Sequence, residues 1–226
     1  MQLTLIRHAE PEWVKDGLNV DNPPLTSRGH EQAELMAKAL IDEQFDEIYV
    51  SPLLRAQQTA APILAQAGRS ATTIDWLQEI KNPIWHGTPV EKAVAAYKEE
   101  RSRPSNERWA GIQGGEGVAD FVGRINRDCA SFLSDNGMVR SHEELPVWST
   151  SAATSKKIAF IAHAGTNSVV ICHLLGLVPT PWEWERFVIG HASVSMVESM
   201  NLSDGVTFSL TRLSGVEHLP LSHRTI

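Results

Sequence analysis

The chain has 226 residues, 42% apolar and 21% charged, which is ordinary usage for a globular domain able to bury a sizeable core. Its 27 acidic and 20 basic residues leave a formal charge of −7, so there is no general attraction to nucleic acid or to an anionic membrane. Any anionic substrate must be held by a local cluster of positive charge. Cys129 and Cys172 lie in apolar, helix-like stretches without CxxC or zinc spacing. No signal-like leader opens the chain and no apolar run is long enough to span a membrane, so a reducing cytoplasm is expected.

In chain order, Leu3 to Ile6 form a short apolar run suited to a buried strand. Thr26 is placed to cap a helix that carries Ala33, Met36, Ala37, Leu40 and Ile41 on one face. Ile48 to Val50 read as a second strand, and Ser51-Pro52 as the opening of a second helix with Pro52 in its first turn, closed by Gly68. Thr72 to Ile74 are a weaker strand. Residues 80–115, with Pro83, Pro89 and Pro104 and a short helical pattern through Val90, Val94 and Tyr97, read as a segment folded over a site.

A strong helix follows from Val118 to Leu133 and ends at Asn136-Gly137. Residues 141–156 read as a surface loop. Ile158 to Ala162 form a continuous apolar run, as a central parallel strand requires. A helix from Asn167 to Leu175 comes next, and two strands, Val194 to Val197 and Val206 to Leu210, flank Ser203-Asp204-Gly205. The alternation predicts a single three-layer α/β domain, with a mainly parallel sheet and helices on both faces.

Ligands of such sheets bind beyond the carboxyl ends of the strands. Arg7 and His8 follow the first strand, Ser51 and Arg55 the second, Glu79 the third, and His163 the apolar fourth. Singly, each is more often a turn residue or a solvated charge. Together they suit phosphoryl transfer: arginine forks match phosphate oxygens, a neutral histidine is a nucleophile, and a carboxylic acid protonates the leaving oxygen.

These residues resemble a known family, the histidine phosphatase superfamily, also called phosphoglycerate mutase-like. Arg7-His8-Ala9-Glu10 resembles its Arg-His-Gly-Glu signature, with Ala9 for the usual glycine. Pro24-Leu25-Thr26 with Gly29, Ser51 to Ala60, Leu77 to Ile80 followed by Trp85-His86-Gly87, Gly114-Gly115-Glu116, Ile161 to Gly165 and Ala192 to Ser195 are similar to its further motifs, in order. The resemblance implies that His8 is the phosphorylated nucleophile, that Arg7 and Arg55 bind the phosphoryl group, that His163 stabilises it, and that Glu79 is the proton donor. His86 stands where many members have a glutamate, so Glu10 and Glu116 are the alternative donors. Val14 replaces an asparagine of the family's mutases, which favours a phosphatase.

The expected activity is therefore metal-independent hydrolysis of a small phosphorylated metabolite, with no cofactor, no nucleic acid and no membrane partner. The alternatives are a mutase using the same nucleophile, a non-catalytic phosphate-binding module, and a metallohydrolase, which the scattered histidines disfavour. The sequence is silent on oligomeric state. Trp85, Trp109, Trp182 and Trp184 either line a leaving-group pocket or pack internally, with packing the simpler reading.

Overall fold

The computed structural model describes residues 1–150 and 155–226. Its main sheet contains β1 (Gln2–Arg7), β4 (Glu47–Val50), β5 (Thr72–Thr73), β6 (Met138–Arg140), β7 (Trp148–Thr150), β8 (Lys157–Ala162), β9 (Val194–Asn201) and β10 (Val206–Gly215). A separate small hairpin pairs β2 (Val14–Lys15) with β3 (Leu18–Asn19). The helices are α1 (Ser27–Ala39), α2 (Leu54–Ala67), α3 (Val90–Ser102), α4 (Val118–Asp135), α5 (Ala164–Leu175) and the short α6 (Glu183–Arg186).

The strand order is β5-β4-β8-β1-β9-β10-β7-β6. Neighbours are parallel from β5 to β1 and antiparallel from β1 to β6. The parallel half sends the carboxyl ends of β1, β4, β5 and β8 to one edge. Because β9 runs antiparallel to β1, with Val194 opposite Ile6, the start of β9 lies at that edge too.

Side-chain alternation builds the layers. Leu3 and Leu5 of β1, with Ile158 and Phe160 of β8, join the core beneath α4 and α5. Ile6, Ala159 and Ile161 point the other way, into the core beneath α1 and α2. The helical faces match. Phe121, Val122, Ile125, Cys129 and Leu133 of α4 enter the first cluster, and Ala33, Met36, Ala37, Ala56, Ala60 and Ile63 of α1 and α2 enter the second.

Local chemistry sets the ends. Thr26 Oγ1 accepts from the Gly29 amide at 2.9 Å and caps α1. Gly68 closes α2 in the left-handed conformation, φ 61°. The expected start of α2 at Ser51-Pro52 is corrected to Leu54. Ser51 Oγ accepts from the Leu53 amide, and Leu53 stays extended, so Pro52 lies before the helix. The start of α5 moves forward to Ala164, with His163 as its N-cap residue.

The loop expected over 141–156 is also corrected, because it contains β7. Trp148 is fully buried, pairs with Val206, and packs edge-on against Phe208 with ring centroids 5.1 Å apart. A single aromatic anchors a strand whose other residues, Ser149 and Thr150, carry no apolar pattern. Residues 151–154 of that segment lie outside the described residues. Among the described residues no helix is long and apolar enough to cross a membrane.

The packing of Trp148 yields a test. Trp148→Ala should lower the unfolding free energy by about 3–5 kcal/mol, the usual cost of truncating a buried aromatic. Chemical denaturation followed by far-UV circular dichroism reads it, and a loss below about 1 kcal/mol would mean that β7 is peripheral to the core.

Candidate active site

The parallel edge gathers the charged residues. Arg7 ends β1, and the His8 amide donates to the Ala162 carbonyl at 2.9 Å, which ties the end of β1 to the end of β8. His8 is 3% exposed and His163 fully buried, with ring centroids 5.1 Å apart. Arg55, in the first turn of α2, is buried, and its guanidinium lies 4.8 Å from the centre of the Trp13 ring, a cation–π distance. Thr59 locks α2 to this edge, since its Oγ1 accepts from the Ala9 amide and donates to the Arg55 carbonyl.

The protonation of His8 follows from its surroundings. Its Nδ1 is 2.8 Å from the Ala9 carbonyl oxygen, which can only accept. The proton therefore sits on Nδ1 and the lone pair on Nε2. Burial first, then His163, Arg55 and Arg7, hold its pKa well below the ordinary histidine value. His163 is held down in the same way by burial and by the Arg55, Arg7 and Arg124 charges. Its Nε2 lies 2.8 Å from Ser51 Oγ, while its Nδ1 is buried without a partner among the described residues.

The two arginines are unusual in what they lack. Neither forms an ion pair among the described residues, and the Nε of each is buried without a hydrogen-bond partner there. Burial lowers the pKa of each to about 10, and Glu79 is the nearby charge that opposes the shift. Arg7 is oriented by two acceptors, the Ile189 carbonyl through Nη1 and His191 Nε2 through Nη2 at 2.9 Å.

Glu79 reaches the same edge from the loop after β5. Its carboxylate accepts from its neighbour Ile80 (3.0 Å) and from Gly165 (2.9 Å) in the first turn of α5, where the helix dipole favours an anion. A methyl group at position 165 would overlap Glu79 Oε1, so this approach requires glycine. Arg124 of α4 donates to the Trp76, Gln78 and Glu79 carbonyls and so fixes the loop. The other two carboxylates are occupied elsewhere. Glu10 pairs with Arg28 and accepts from Thr26, while Glu116 grips Arg124 and the Lys81 amide. His86 is exposed.

The family model of the histidine phosphatase superfamily, branch 1, matches residues 3–203. Phosphoserine phosphatase 1 of Hydrogenobacter thermophilus is 31% identical over 180 residues, 78% of this chain and 77% of that protein. The chain belongs to the histidine phosphatase superfamily.

A Yersinia enterocolitica protein that carries a phosphoglycerate mutase name is 28% identical over 182 residues, 79% of this chain and 77% of its own length. The crystal structure of the α-ribazole phosphatase from Shigella flexneri superposes with a TM-score of 0.69 at 26% identity, covering 96% of this chain and all of that one. The α/β fold and a phosphatase-type enzyme, both expected from the sequence, agree with this membership.

Sequence reasoning missed two members of the site. His191 lies 5.6 Å from His8, ring to ring, and holds Arg7. Its signal was its place just before an antiparallel strand, whose beginning falls at the binding edge. Trp13 covers Arg55 and is 42% exposed. Trp85, Trp109, Trp182 and Trp184 are packing residues or lie elsewhere. Trp85 is buried against Tyr97, Trp109 and Trp184 pack on the core, and Trp182 lies beside Arg108.

Three buried neutral imidazoles give the protein an acid limit. His191 is brought down to about 3, chiefly by burial and then by Arg7 and Arg55. Above pH 6.5 these rings are neutral folded and unfolded, and they leave stability unchanged. As pH falls below 6.5 the unfolded chain takes up protons that His8, His163 and His191 refuse, so stability falls. Each ring contributes up to about 1.4 kcal/mol per pH unit. Urea unfolding between pH 7 and 5 should show this fall, and replacing His191 with Gln should make it shallower. An unchanged slope would show that His191 titrates normally.

Proposed function

We propose that this chain hydrolyses phosphomonoesters of small metabolites through a phosphohistidine at His8. The observation that carries the reading is a neutral imidazole of fixed tautomer beside the buried Arg55 and the partly buried Arg7, neither of which has a carboxylate partner among the described residues. A dianionic phosphoryl group supplies the missing counter-charge, and the fork of each arginine offers it paired donors.

Each step can be assigned. His8 Nε2 attacks phosphorus as the ester P–O bond breaks, and Glu79, as the carboxylic acid, protonates the leaving oxygen. The positive charge that develops on the His8 ring is stabilised by its Nδ1–H bond to the Ala9 carbonyl. The Glu79 carboxylate then takes a proton from water, whose oxygen attacks phosphorus and breaks the P–N bond, releasing phosphate and restoring both residues. Arg7, Arg55 and His163 offset charge on the equatorial oxygens throughout.

Residues 80–115 serve as a cap on the single domain. Asn19 of β3 bonds to the Thr88 and Pro89 carbonyls, and Asp21 accepts from the Trp85 amide, which supports a cap held by the β2–β3 region. Tyr97 of α3 packs edge-on against Trp85 and its hydroxyl accepts from Asn82, which supports a cap with packing of its own. Two free, buried cysteines fit a reducing cytoplasm. The mutase-named relative keeps isomerisation as the second reading. Val14 is a half-exposed apolar side chain that offers the phosphoryl group no amide, which favours transfer to water. With phosphoglycerate, release of free phosphate supports hydrolysis, and an isomer supports the mutase.

His8→Ala should cost several orders of magnitude in turnover with the fold retained. Acid-labile, base-stable label should appear on wild type quenched during turnover of a phosphate-labelled ester, and not on the variant. Near-normal activity in the variant would remove His8 as the nucleophile.

For Glu79→Gln, the loss in kcat/KM should be about 10² to 10⁴ for an alkyl phosphate, whose leaving group needs a proton, and far smaller for p-nitrophenyl phosphate. Equal losses on both esters would mean that Glu79 serves binding only.

A further inference from the structure

Arg7 is held through a run of hydrogen bonds whose direction is settled at every link. Arginine only donates, so Arg7 Nη2, 2.9 Å from His191 Nε2, makes that nitrogen the acceptor. The His191 proton is therefore on Nδ1, 2.9 Å from Thr225 Oγ1, which accepts it. The same oxygen accepts a second bond, at 3.0 Å, from Gln32 Nε2. Gln32 cannot be turned round. Its Oε1 accepts from the Glu10 amide at 2.8 Å, and its Nε2 also donates to the His223 carbonyl at 2.6 Å.

The His191 amide donates to the Thr225 carbonyl as well, so the two residues are joined twice. Gln32 is fully buried and His191 is 5% exposed. A buried amide on the packed face of α1 has its full set of partners only because the segment after β10 returns to it.

We propose that Gln32, Thr225 and His191 are positioning residues that hold the Nδ1–H tautomer of His191 and thereby aim the Arg7 guanidinium at the phosphoryl group. The inference rests on the phosphoryl-binding role given to Arg7 above. Its logic is a choice between two tautomers. With the proton on Nδ1, Nε2 accepts from Arg7. With the proton on Nε2, two donors face each other, and Arg7 keeps only the Ile189 carbonyl. Arg7, which can only donate, selects the tautomer, and Thr225 holds it because its oxygen, placed by Gln32, accepts the proton that this leaves on Nδ1. Outer partners that fix the tautomer of a metal-binding histidine are typically worth about 10- to 100-fold in activity, and a loss of the same order is expected where the histidine orients an arginine.

The experiment has two arms. In the first, ¹⁵N-resolved histidine spectra of wild type at neutral pH, assigned with His191→Gln, should show His191 protonated at Nδ1 and bare at Nε2. A proton at Nε2 overturns the proposal without any appeal to activity.

The second arm is a double-mutant cycle with p-nitrophenyl phosphate as substrate and inorganic phosphate as competitive inhibitor. Thr225→Val should lower kcat/KM by about 10- to 100-fold and weaken phosphate inhibition in parallel. Thr225→Ser, which restores the oxygen, should recover most of both. In an Arg7→Ala background, Thr225→Val should add almost nothing, because the group it aims is gone.

Equal losses from Thr225→Val with and without Arg7, or no rescue by serine, overturn the positioning role while leaving the function of Arg7 intact. If Arg7→Ala alone costs nothing, the phosphoryl-binding role of Arg7 fails, and the inference falls with it.

Discussion

Arg7 and Arg55 lie where β1 ends and α2 begins, and neither is hydrogen-bonded to a carboxylate among the described residues. Taking a guanidinium out of water without a partner costs several kcal/mol after relaxation. The surroundings make that burial tolerable without neutralising it. The Ile189 carbonyl and the neutral His191 ring take donors of Arg7, the Trp13 ring covers Arg55, and Glu79 stands near both without an ion pair to either. The histidines must be neutral for this to work, and burial first, with the same two cations adding to it, keeps them so. The proposed site is thus a local excess of positive charge that suits an anion, and such preorganised charge is the condition for stabilising a phosphoryl group without solvent reorganisation.

The sheet makes this concentration of charge feasible. Four parallel strands deliver their carboxyl ends to one edge, and the antiparallel β9 brings its beginning to the same place. Every element that contributes a polar group is anchored below by apolar residues of one of the two cores. Thr59 and the His8 backbone are small ties between rigid parts, and they hold the geometry more tightly than loops could.

Much of this was legible in the amino-acid order because it depends on adjacency. Arg7, His8, Ser51 and His163 directly follow apolar runs, so locating the strand located the side chain. Arg55 and Glu79 needed only the next turn. His191 depends on the direction of β9, and a short apolar run looks the same in either direction. Gln32 reads as a polar residue on a helix, and only the packing of residues 223–225 against α1 reveals its partners. Trp148 was hidden among serines and threonines because a strand secured by one large side chain has no periodic pattern to read. Trp13 sits beside a two-residue strand, too short for alternation to appear.

The anchoring of Glu79 has an evolutionary consequence. Three carbonyls of its loop are gripped by Arg124, a residue of the core helix α4, and its carboxylate is seated on α5. The acid therefore takes its position from the scaffold and not from the segment that follows it, although the two are contiguous in the chain. Insertions and substitutions in α3 and its flanking turns can reshape the space beside the proposed phosphoryl site while Glu79, the proposed proton donor, stays still. Such a division lets a lineage explore new leaving groups without relearning how to break the bond.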